Sequence, residues 1–266
     1  MRSFDPIRKI ENVAAGQTAT VSLPIGRTFD RIHFKLTNCV AADLKNVKLE
    51  LNGRLVSIFK SFAEMQEIDS YYKRAVTAGY VTWYFTETDI CDKLDEGRFL
   101  GLATAGLSTA IISFDVDAGV TNPVITAEAE TSDPKPAIGQ WLRKHRSYTL
   151  TQTAGVSEHT ALPKPAGEYI KAMHIKKADV QKVELIIDNT SWFNIPKATA
   201  ELLQGHYGRV PQASNAHIDF MLQGDIMNTL ALVSGMQDFR LKTDCTTGGA
   251  VDIRMEFYGQ FYATGF

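Results

Sequence analysis

Apolar and polar residues alternate in short segments along most of the chain, which is the pattern of β-strands with one buried face. In the first half, for example, Ile32, Phe34 and Leu36 fall on one face of such a segment. Asn52-Gly53 separates two further segments and is a strong β-hairpin signal. The strands predicted in the first half are Thr18–Leu23, Phe29–Leu36, Val47–Leu51, Leu55–Phe59, Tyr80–Phe85, Thr109–Val116 and Val124–Ala129.

One short helix interrupts the strand pattern in each half. Ser61 followed by Glu64 suits a capping box, and apolar residues then recur at helical spacing. In the second half Pro196 suits a helix start. The strands predicted there are Tyr148–Thr153, Tyr169–Ile175, Val180–Ile187, Ser191–Ile195, His217–Leu222, Leu230–Val233, Phe239–Thr243 and Val251–Tyr258.

The second half also repeats the first at an offset of 136 residues. Ala42–Gly53 aligns with Ala178–Asn189 without a gap, and further along Tyr71 meets Tyr207. The order of strand, hairpin turn, aromatic segment, helix and strand is preserved as well. A period this long indicates two similar domains in tandem rather than a solenoid. The alternative is that two unrelated β domains share the same turns and strands by coincidence.

The domain boundaries follow from two prolines, Pro134 and Pro136, which cannot join a central sheet and therefore predict a linker. The fold class predicted is all-β, with two tandem eight-stranded jelly rolls that each contain a short mid-domain helix. The predicted parts are an N-terminal lead-in at 1–16, read as a short amphipathic turn or helix, a first jelly roll at 17–133, a linker at 134–139 and a second jelly roll at 140–266.

Composition excludes several classes of function. The net charge of −2 argues against non-specific nucleic-acid binding. The longest uncharged run, 99–114, is too short to span a bilayer comfortably, and the N-terminus lacks the apolar run of a signal peptide. The cysteines are odd in number and widely spaced, which indicates reduced thiols in a protein made in a reducing cytoplasm: Cys39, Cys91 and Cys245.

No catalytic motif is present in the sequence. The six histidines never occur as His-x-His or His-x-x-x-His, which disfavours a metal enzyme of the bicupin type. Phosphate-binding glycine loops and nucleophile elbows are also missing from the sequence. The chain is therefore predicted not to be an enzyme. Its many aromatic residues leave one alternative open, a carbohydrate-binding, lectin-like β-sandwich whose rings stack on sugars.

One segment has the spacing of a partial calcium loop. Asp115 and Asp117 place oxygen ligands at alternate positions before Gly119, and Asn122 follows. The segment lacks the third ligand and the distal glutamate of a complete loop. Structural calcium at Asp115, Asp117 and Asn122 is one interpretation, and an ordinary turn at the end of a strand is the other.

Three passages resemble a known family: Arg2–Ile10, Gly26–Ile32 and Leu49–Gly53. Together with the two jelly rolls, the proline-rich joint and the lack of catalytic motifs, they are similar to the major capsid protein of the corticoviruses, tailless membrane-containing marine phages. The resemblance covers the whole chain, although the shared residues are packing and turn residues. It implies a viral capsid protein made in the bacterial host cytoplasm and located in the virion, with no catalytic residues.

The resemblance also implies partners. Members of the family form homotrimers whose six jelly rolls make a pseudo-hexagonal capsomer, and the capsomers tile an icosahedral shell over an internal membrane. The further partners expected are viral vertex and membrane proteins, with structural calcium in the shell and no sequence-specific contact with nucleic acid. The N-terminal segment with Arg2, Arg8 and Lys9 is expected at the membrane side, in weak contact with lipid.

Overall fold

The structure is a computed structural model that describes residues 3–8, 10–88, 98–232 and 236–261. Its first half is built from strands, with helix α1 (Phe62–Tyr71) between β6 and β7. The strands are β1 (Ser3–Ile7), β2 (Ile10–Glu11), β3 (Thr18–Ser22), β4 (Thr28–Thr37), β5 (Leu44–Leu51), β6 (Arg54–Ser61), β7 (Tyr80–Tyr84), β8 (Leu102–Ala103), β9 (Ala110–Val116) and β10 (Val124–Ser132). Short 3-10 turns lie at Ala41–Asp43 and Arg98–Leu100.

The second half has the same kind of layout, with helix α2 (Lys197–His206) between β15 and β16. A third 3-10 turn lies at Ile226–Asn228. The strands are β11 (Trp141–Gln152), β12 (Gly155–His159), β13 (Tyr169–Lys176), β14 (Val180–Ile187), β15 (Thr190–Pro196), β16 (Asn215–Asp219), β17 (Leu230–Ala231), β18 (Phe239–Cys245) and β19 (Gly249–Gln260).

Each half is a jelly roll made of two sheets. In the first half the strand orders are β1-β10-β4-β7, with β8 paired to β4, and β2-β3-β9-β5-β6. In the second half they are β11-β19-β13-β16, with β17 paired to β13, and β12-β18-β14-β15. Apart from the short β2, the two halves have the same strand order. The predicted fold class, two eight-stranded jelly rolls with a mid-domain helix each, is confirmed.

Alternation of apolar and polar residues places each core between the two sheets. Every second residue of β9 and of β18 is buried, which is the pattern of a strand with one face on a core. In the first jelly roll the rings of Phe34 and Phe62 are 5.0 Å apart, and Phe114 lies 5.2 Å from Phe62. In the second, Met173, Leu185 and other buried apolar residues form one cluster.

The repeat predicted from the sequence is present in the strand registers. Strand β14 begins and ends 136 residues after β5, as predicted. Val47 pairs with Phe59 in the first hairpin, and Val183 pairs with Ile195 in the second. Both hairpins also have a register shift, which on β5 and on β14 begins two residues after the valine. The two halves therefore share details of pairing as well as strand order.

The hairpin turns explain why the alignment has no gap. Asn52 and Gly53 have φ of 51° and 73°, and Asp188 and Asn189 have φ of 47° and 62°. Two successive residues with positive φ form the tight turn that matches the twist of antiparallel strands. Asn and Asp tolerate this conformation better than other residues with a Cβ atom. The second turn is thus the counterpart of the first without a glycine.

The helix signals in the sequence are also correct. The Ser61 hydroxyl accepts from the Glu64 backbone N–H at 3.3 Å, and the Glu64 carboxylate accepts from the Lys60 N–H at 2.5 Å. The first bond satisfies a backbone donor that the first turn of α1 leaves without a helical partner, and the second ties the helix to the end of β6. Helix α2 begins directly after Pro196, which is its N-cap residue.

The predicted turn or helix within the lead-in is wrong, because residues Ser3–Ile7 form β1. This strand pairs with β10, from Ser3 opposite Thr131 to Ile7 opposite Ala127. Phe4, Ile7 and Ile10 are three residues apart, which suggested a helical stripe, but Phe4 is exposed. Pro6 is tolerated because β1 is at the edge of its sheet.

Contacts between Cα atoms divide the chain into two compact units. The first contains 1–70, 74–145 and 260–266, so the lead-in and the predicted linker at 134–139 group with it. The second contains 71–73 and 146–259. Cys39 and Cys245 are free thiols, and Cys91 lies outside the described residues. In the part of the chain that the structure describes, no helix is long and apolar enough to cross a membrane.

Candidate assembly sites

A histidine and a glutamate form a pair on the sheet of the first jelly roll that contains β4. His33 lies on β4, with Thr82 on the neighbouring strand β7 and Glu130 on the other neighbour, β10. His33 Nε2 is 3.0 Å from Glu130 Oε1, and its Nδ1 is 2.9 Å from Thr82 Oγ1. Arg31 also donates to Glu130 Oε1, over 3.4 Å. The His33 side chain is 31% exposed and that of Glu130 is 10% exposed, so solvent reaches the pair from the histidine side.

The second jelly roll carries a pair of the same kind at the same place. His174 on β13 has its Nε2 2.8 Å from Glu256 Oε1 on β19 and its Nδ1 2.7 Å from Nδ1 of His217 on β16. His174 is opposite His217 in the sheet as His33 is opposite Thr82. The same register shift adjoins the glutamate in both sheets. The pair is therefore a repeated feature of the two jelly rolls.

Hydrogen-bond chemistry constrains the protons in the second pair. A carboxylate only accepts, so His174 donates from Nε2 to Glu256. The Nδ1 atoms of His174 and His217 share one proton, because a hydrogen bond between them needs one donor and one acceptor. Burial above all, and then the charge of His174, hold the pKa of His217 well below its usual range. His217 is therefore neutral at physiological pH.

Two tyrosines cover the second pair and belong to the same contact-defined unit. The Tyr72 hydroxyl donates to Glu256 Oε1 at 2.7 Å. The Tyr71 ring stacks on His217 with the ring centroids 4.1 Å apart. The ammonium of Lys171 lies 3.8 Å from the centre of the Tyr72 ring. His174 and Glu256 are fully buried as a result, whereas in the first jelly roll His33 is 31% exposed and Glu130 is 10% exposed.

The predicted calcium ligands lie at the end of β9 and in the turn after it. Asp115 accepts hydrogen bonds from Thr18 Oγ1 at 2.6 Å and from Asn46 Nδ2 at 2.8 Å. These two bonds, the one from Thr18 first, hold the pKa of Asp115 below its usual range. Both of its carboxylate oxygens are therefore engaged with protein donors from β3 and β5.

The other two predicted ligands are engaged in a similar way. Asp117 forms an ion pair with Lys45, with 2.5 Å between Oδ2 and Nζ, and accepts from the Gly119 N–H at 2.9 Å. Asn122 has a positive φ of 47° and accepts at its backbone oxygen from Asn38 Nδ2 at 3.0 Å. These contacts are those of a strand-ending turn.

This arrangement does not fit a calcium ion, which takes six to eight oxygen ligands. The Lys45 ammonium lies against Asp117, where a second cation would be repelled. Among the residues with a described position, no group of three or more His, Cys, Asp or Glu side chains is arranged to hold a metal. Calcium at Asp115, Asp117 and Asn122 is thus a prediction that the local contacts do not favour.

We expect Asp115→Asn to lower the free energy of unfolding by about 1 kcal/mol, because an amide group cannot accept hydrogen bonds at both positions. For a domain of this size the melting temperature would fall by about 2–4 °C. Thermal unfolding should show the same loss with added calcium and with a chelator. A loss that appears only with calcium would restore the calcium interpretation.

The N-terminal basic residues are only partly described. Arg8 follows β1 and is exposed. It borders a pocket that is also lined by Asp5, Ser22 and Arg27, and Arg27 forms an ion pair with Asp5. Arg2 and Lys9 lie outside the described residues. The membrane-side role of these three residues remains a prediction.

Comparison with known proteins gives matches along the whole chain. The family model of the viral coat protein P2 N-terminal domain matches residues 4–132, and that of the viral coat protein P2 C-terminal domain matches residues 142–261. The major capsid protein P2 of Pseudoalteromonas phage PM2 is 34% identical over 271 residues, and the alignment covers 100% of both chains. The crystal structure of that protein matches with a TM-score of 0.96, again over 100% of both chains.

More distant structures share the fold. The major capsid protein of STIV, the Sulfolobus Turreted Icosahedral Virus, matches with a TM-score of 0.72 at 12% identity, over 98% of both chains. PBCV-1 VP54 matches with a TM-score of 0.68 at 10% identity, over 99% of this chain and 97% of that one. At such low identity the likeness extends to the fold alone.

The repeated jelly roll, its strand order and these matches define a viral capsid protein of the double jelly-roll class. The chain belongs to the viral coat protein P2 family. It is a structural protein of the virus capsid, and the prediction that it is not an enzyme is confirmed by the structural role of its relatives. The lectin-like alternative is set aside on the same ground.

The repeated histidine–glutamate pair was not predicted from the sequence. Spacing along the chain does not reveal it, because His33 and His174 are far apart there. A signal does exist: Ile32-His-Phe-Lys35 and Met173-His-Ile-Lys176 have the same pattern at an offset of 141. That offset differs from 136, so an ungapped alignment of the halves does not superpose the two histidines.

Proposed function

We propose that the chain forms a homotrimer whose six jelly rolls make a pseudo-hexagonal capsomer, and that these capsomers tile an icosahedral shell over an internal membrane. The observation that carries the proposal is the repeat, in which two jelly rolls share strand order and pairing register. Three copies then present six similar surfaces around one axis, which suits hexagonal tiling. Viral vertex and membrane proteins complete the shell as partners.

Electron microscopy of the purified protein tests this proposal. Class averages viewed along the threefold axis should show a nearly hexagonal outline with six lobes of density. Under assembly conditions the same particles should form hexagonal patches or closed shells. Averages with twofold symmetry, or isolated two-lobed particles at every protein concentration, would contradict it.

The N-terminal basic residues support a weak contact with the membrane. A Lys or Arg residue near an anionic lipid surface contributes on the order of 1 kcal/mol, and the attraction fades within about 10 Å at 0.1 M salt. Three such residues give loose, salt-sensitive binding rather than an anchor. Many copies in a lattice add these contacts together.

We expect replacement of Arg2, Arg8 and Lys9 by serine to weaken sedimentation with phosphatidylglycerol vesicles at low salt by at least about tenfold. The matched control removes the same charge elsewhere, by replacing Lys48, Lys60 and Lys182 with serine. Point substitutions are used because deletion of residues 1–12 would remove β1 from its sheet. If both variants bind the vesicles equally, the membrane role is ruled out.

A further inference from the structure

We propose that the end of α2 in one copy docks on the His33–Glu130 pair of a second copy, where the Tyr207 hydroxyl donates a hydrogen bond to Glu130. The proposal rests on the proposed self-assembly and names the surfaces that join neighbouring copies. At two sets of equivalent positions in the jelly rolls, one residue is covered by its own chain and its counterpart is more exposed.

The two helices end in the same way. Each has ten residues and runs into a turn that contains a residue with positive φ, Lys73 after α1 and Gly208 after α2. The residue directly before that turn position is Tyr72 in one case and Tyr207 in the other. Tyr207 is therefore the structural counterpart of Tyr72, whereas the ungapped sequence alignment pairs it with Tyr71. Tyr72 is 4% exposed, and Tyr207 is 47% exposed.

The acceptor of the tyrosine is also repeated in the two jelly rolls. The Tyr72 hydroxyl donates to the carboxylate of Glu256, which is also bound by His174. Glu130 is the register counterpart of Glu256 and is bound by His33 in the same way. The Glu130 side chain is 10% exposed, and that of Glu256 is fully buried. The first jelly roll thus has the acceptor for a tyrosine, and the second has the tyrosine without the acceptor.

The state of the Tyr207 hydroxyl is consistent with this role. Gln223 Nε2 donates to the Tyr207 oxygen over 3.3 Å. A phenol has one proton to donate in addition to accepting. The Tyr207 proton therefore remains available for a carboxylate, and a hydrogen bond to a charged acceptor is stronger than one to a neutral group.

Apolar residues around Tyr207 give the contact its area. Trp192, on the edge strand β15, is the unpaired residue at the register shift with β14, and it is 60% exposed. Its counterpart at the register shift between β5 and β6 is Val56, which is 2% exposed. Other large apolar side chains on or after α2 are exposed as well: Leu202, Leu203 and Val210. On the receiving side Tyr80 of β7 is exposed, two residues before Thr82. Exposed apolar patches of this kind mark protein interfaces.

The geometry of the proposed contact suits a ring. The donor surface, at α2 and β15, differs from the acceptor surface, at β4, β7 and β10, so the interface is heterologous. Heterologous contacts form closed rings when the rotation between copies closes. A second copy of the same chain therefore occupies the acceptor surface. In a closed ring of three copies, each Tyr207 donates to the Glu130 of the next copy.

Sedimentation equilibrium of the full chain tests the contact. We expect Tyr207→Phe and Glu130→Gln each to raise the dissociation constant of the oligomer by at least about tenfold, because the first removes the hydroxyl donor and the second removes the charge of the acceptor. The dissociation constant of the double variant should not exceed that of the single variant with the larger effect, since the two residues share one interaction. Circular dichroism at low protein concentration should show that the Tyr207→Phe subunit folds normally.

Val156→Ser is the matched control. Val156 is 65% exposed and lies on β12, at the opposite edge of the sheet that contains β15. Its substitution should leave the dissociation constant unchanged. A stable wild-type oligomer that Tyr207→Phe does not weaken, or additive effects in the double variant, would overturn the tyrosine–glutamate contact while leaving the proposed capsomer in place. A wild-type chain that stays monomeric would overturn both.

Discussion

Replacing Glu256 by glutamine is expected to destabilise the second jelly roll by about 3–5 kcal/mol, the cost of removing one partner from a buried ion pair. Glu256 accepts from His174 and Tyr72, and the Lys171 ammonium lies 3.9 Å away with its side chain fully buried. Glutamine keeps the shape but removes the negative charge beside the buried Lys171 ammonium, in a water-poor site. Urea denaturation followed by intrinsic fluorescence measures the loss.

The repeat supplies the control for this experiment. Glu130→Gln makes the same chemical change at the equivalent position of the first jelly roll. Because the side chains around it reach solvent, its effect on the subunit should be about 1 kcal/mol or less. Equal effects of the two substitutions would show that burial of the second pair does not set its contribution to stability.

Acid should destabilise the second jelly roll from about pH 6.5 downward, the ordinary pKa of histidine. The depressed pKa of His217 means that the folded state holds this side chain neutral while the unfolded chain takes up a proton. Its contribution is fully present above the unfolded pKa and is lost as the pH falls toward the folded pKa. The slope between the two values is about 1.4 kcal/mol per pH unit.

The groups that face His217 account for the direction of its shift. Burial lowers its pKa most, followed by His174, Lys197 and Arg254, while Glu256 opposes them. A second set of groups titrates in a different window. Local hydrogen bonds depress the pKa values of exposed carboxylates such as Asp115, whose contribution is lost only below about pH 4. The histidine effect is therefore measurable separately, between pH 6.5 and pH 5.

Denaturation curves at several pH values between 7.5 and 5 test this expectation. The matched variant is His217→Thr, which installs the residue that the first jelly roll has at the equivalent position, Thr82. The variant should lose the part of the pH slope that His217 contributes, even if its stability at neutral pH is lower. The rest of the slope in this range belongs to His159, whose pKa is also lowered by burial. A slope that persists unchanged in His217→Thr would assign the acid sensitivity to another group.

Turn chemistry and strand alternation explain why much of the fold could be predicted from the sequence. Asn52-Gly53 fixes a two-residue hairpin locally, so both strands beside it were located correctly. The start of α1 was predicted for a similar reason, because Ser61 and Glu64 act within one helical turn. Signals of this kind depend on neighbours in the sequence and do not need the tertiary structure.

Strands with unusual burial were missed. Strand β11 begins at Trp141, but the prediction began at Tyr148, because Arg143, Lys144 and His145 do not resemble a strand core. All three are buried in the structure. Their burial depends on partners distant in sequence, such as Ser57, whose hydroxyl accepts from the His145 N–H at 3.1 Å. The same limit hid the histidine–glutamate pairs, which come together only when three strands are in register.

The central claim is that this chain builds a capsid from trimers in which its two jelly rolls act as equivalent units. Native mass spectrometry of the purified, unmodified chain tests it most directly, because mass gives the number of copies without any assumption about shape. The account predicts a dominant species of three times the 29.5 kDa chain mass that loses intensity in Tyr207→Phe. A dominant monomer or dimer, unchanged as the protein concentration rises, would contradict it.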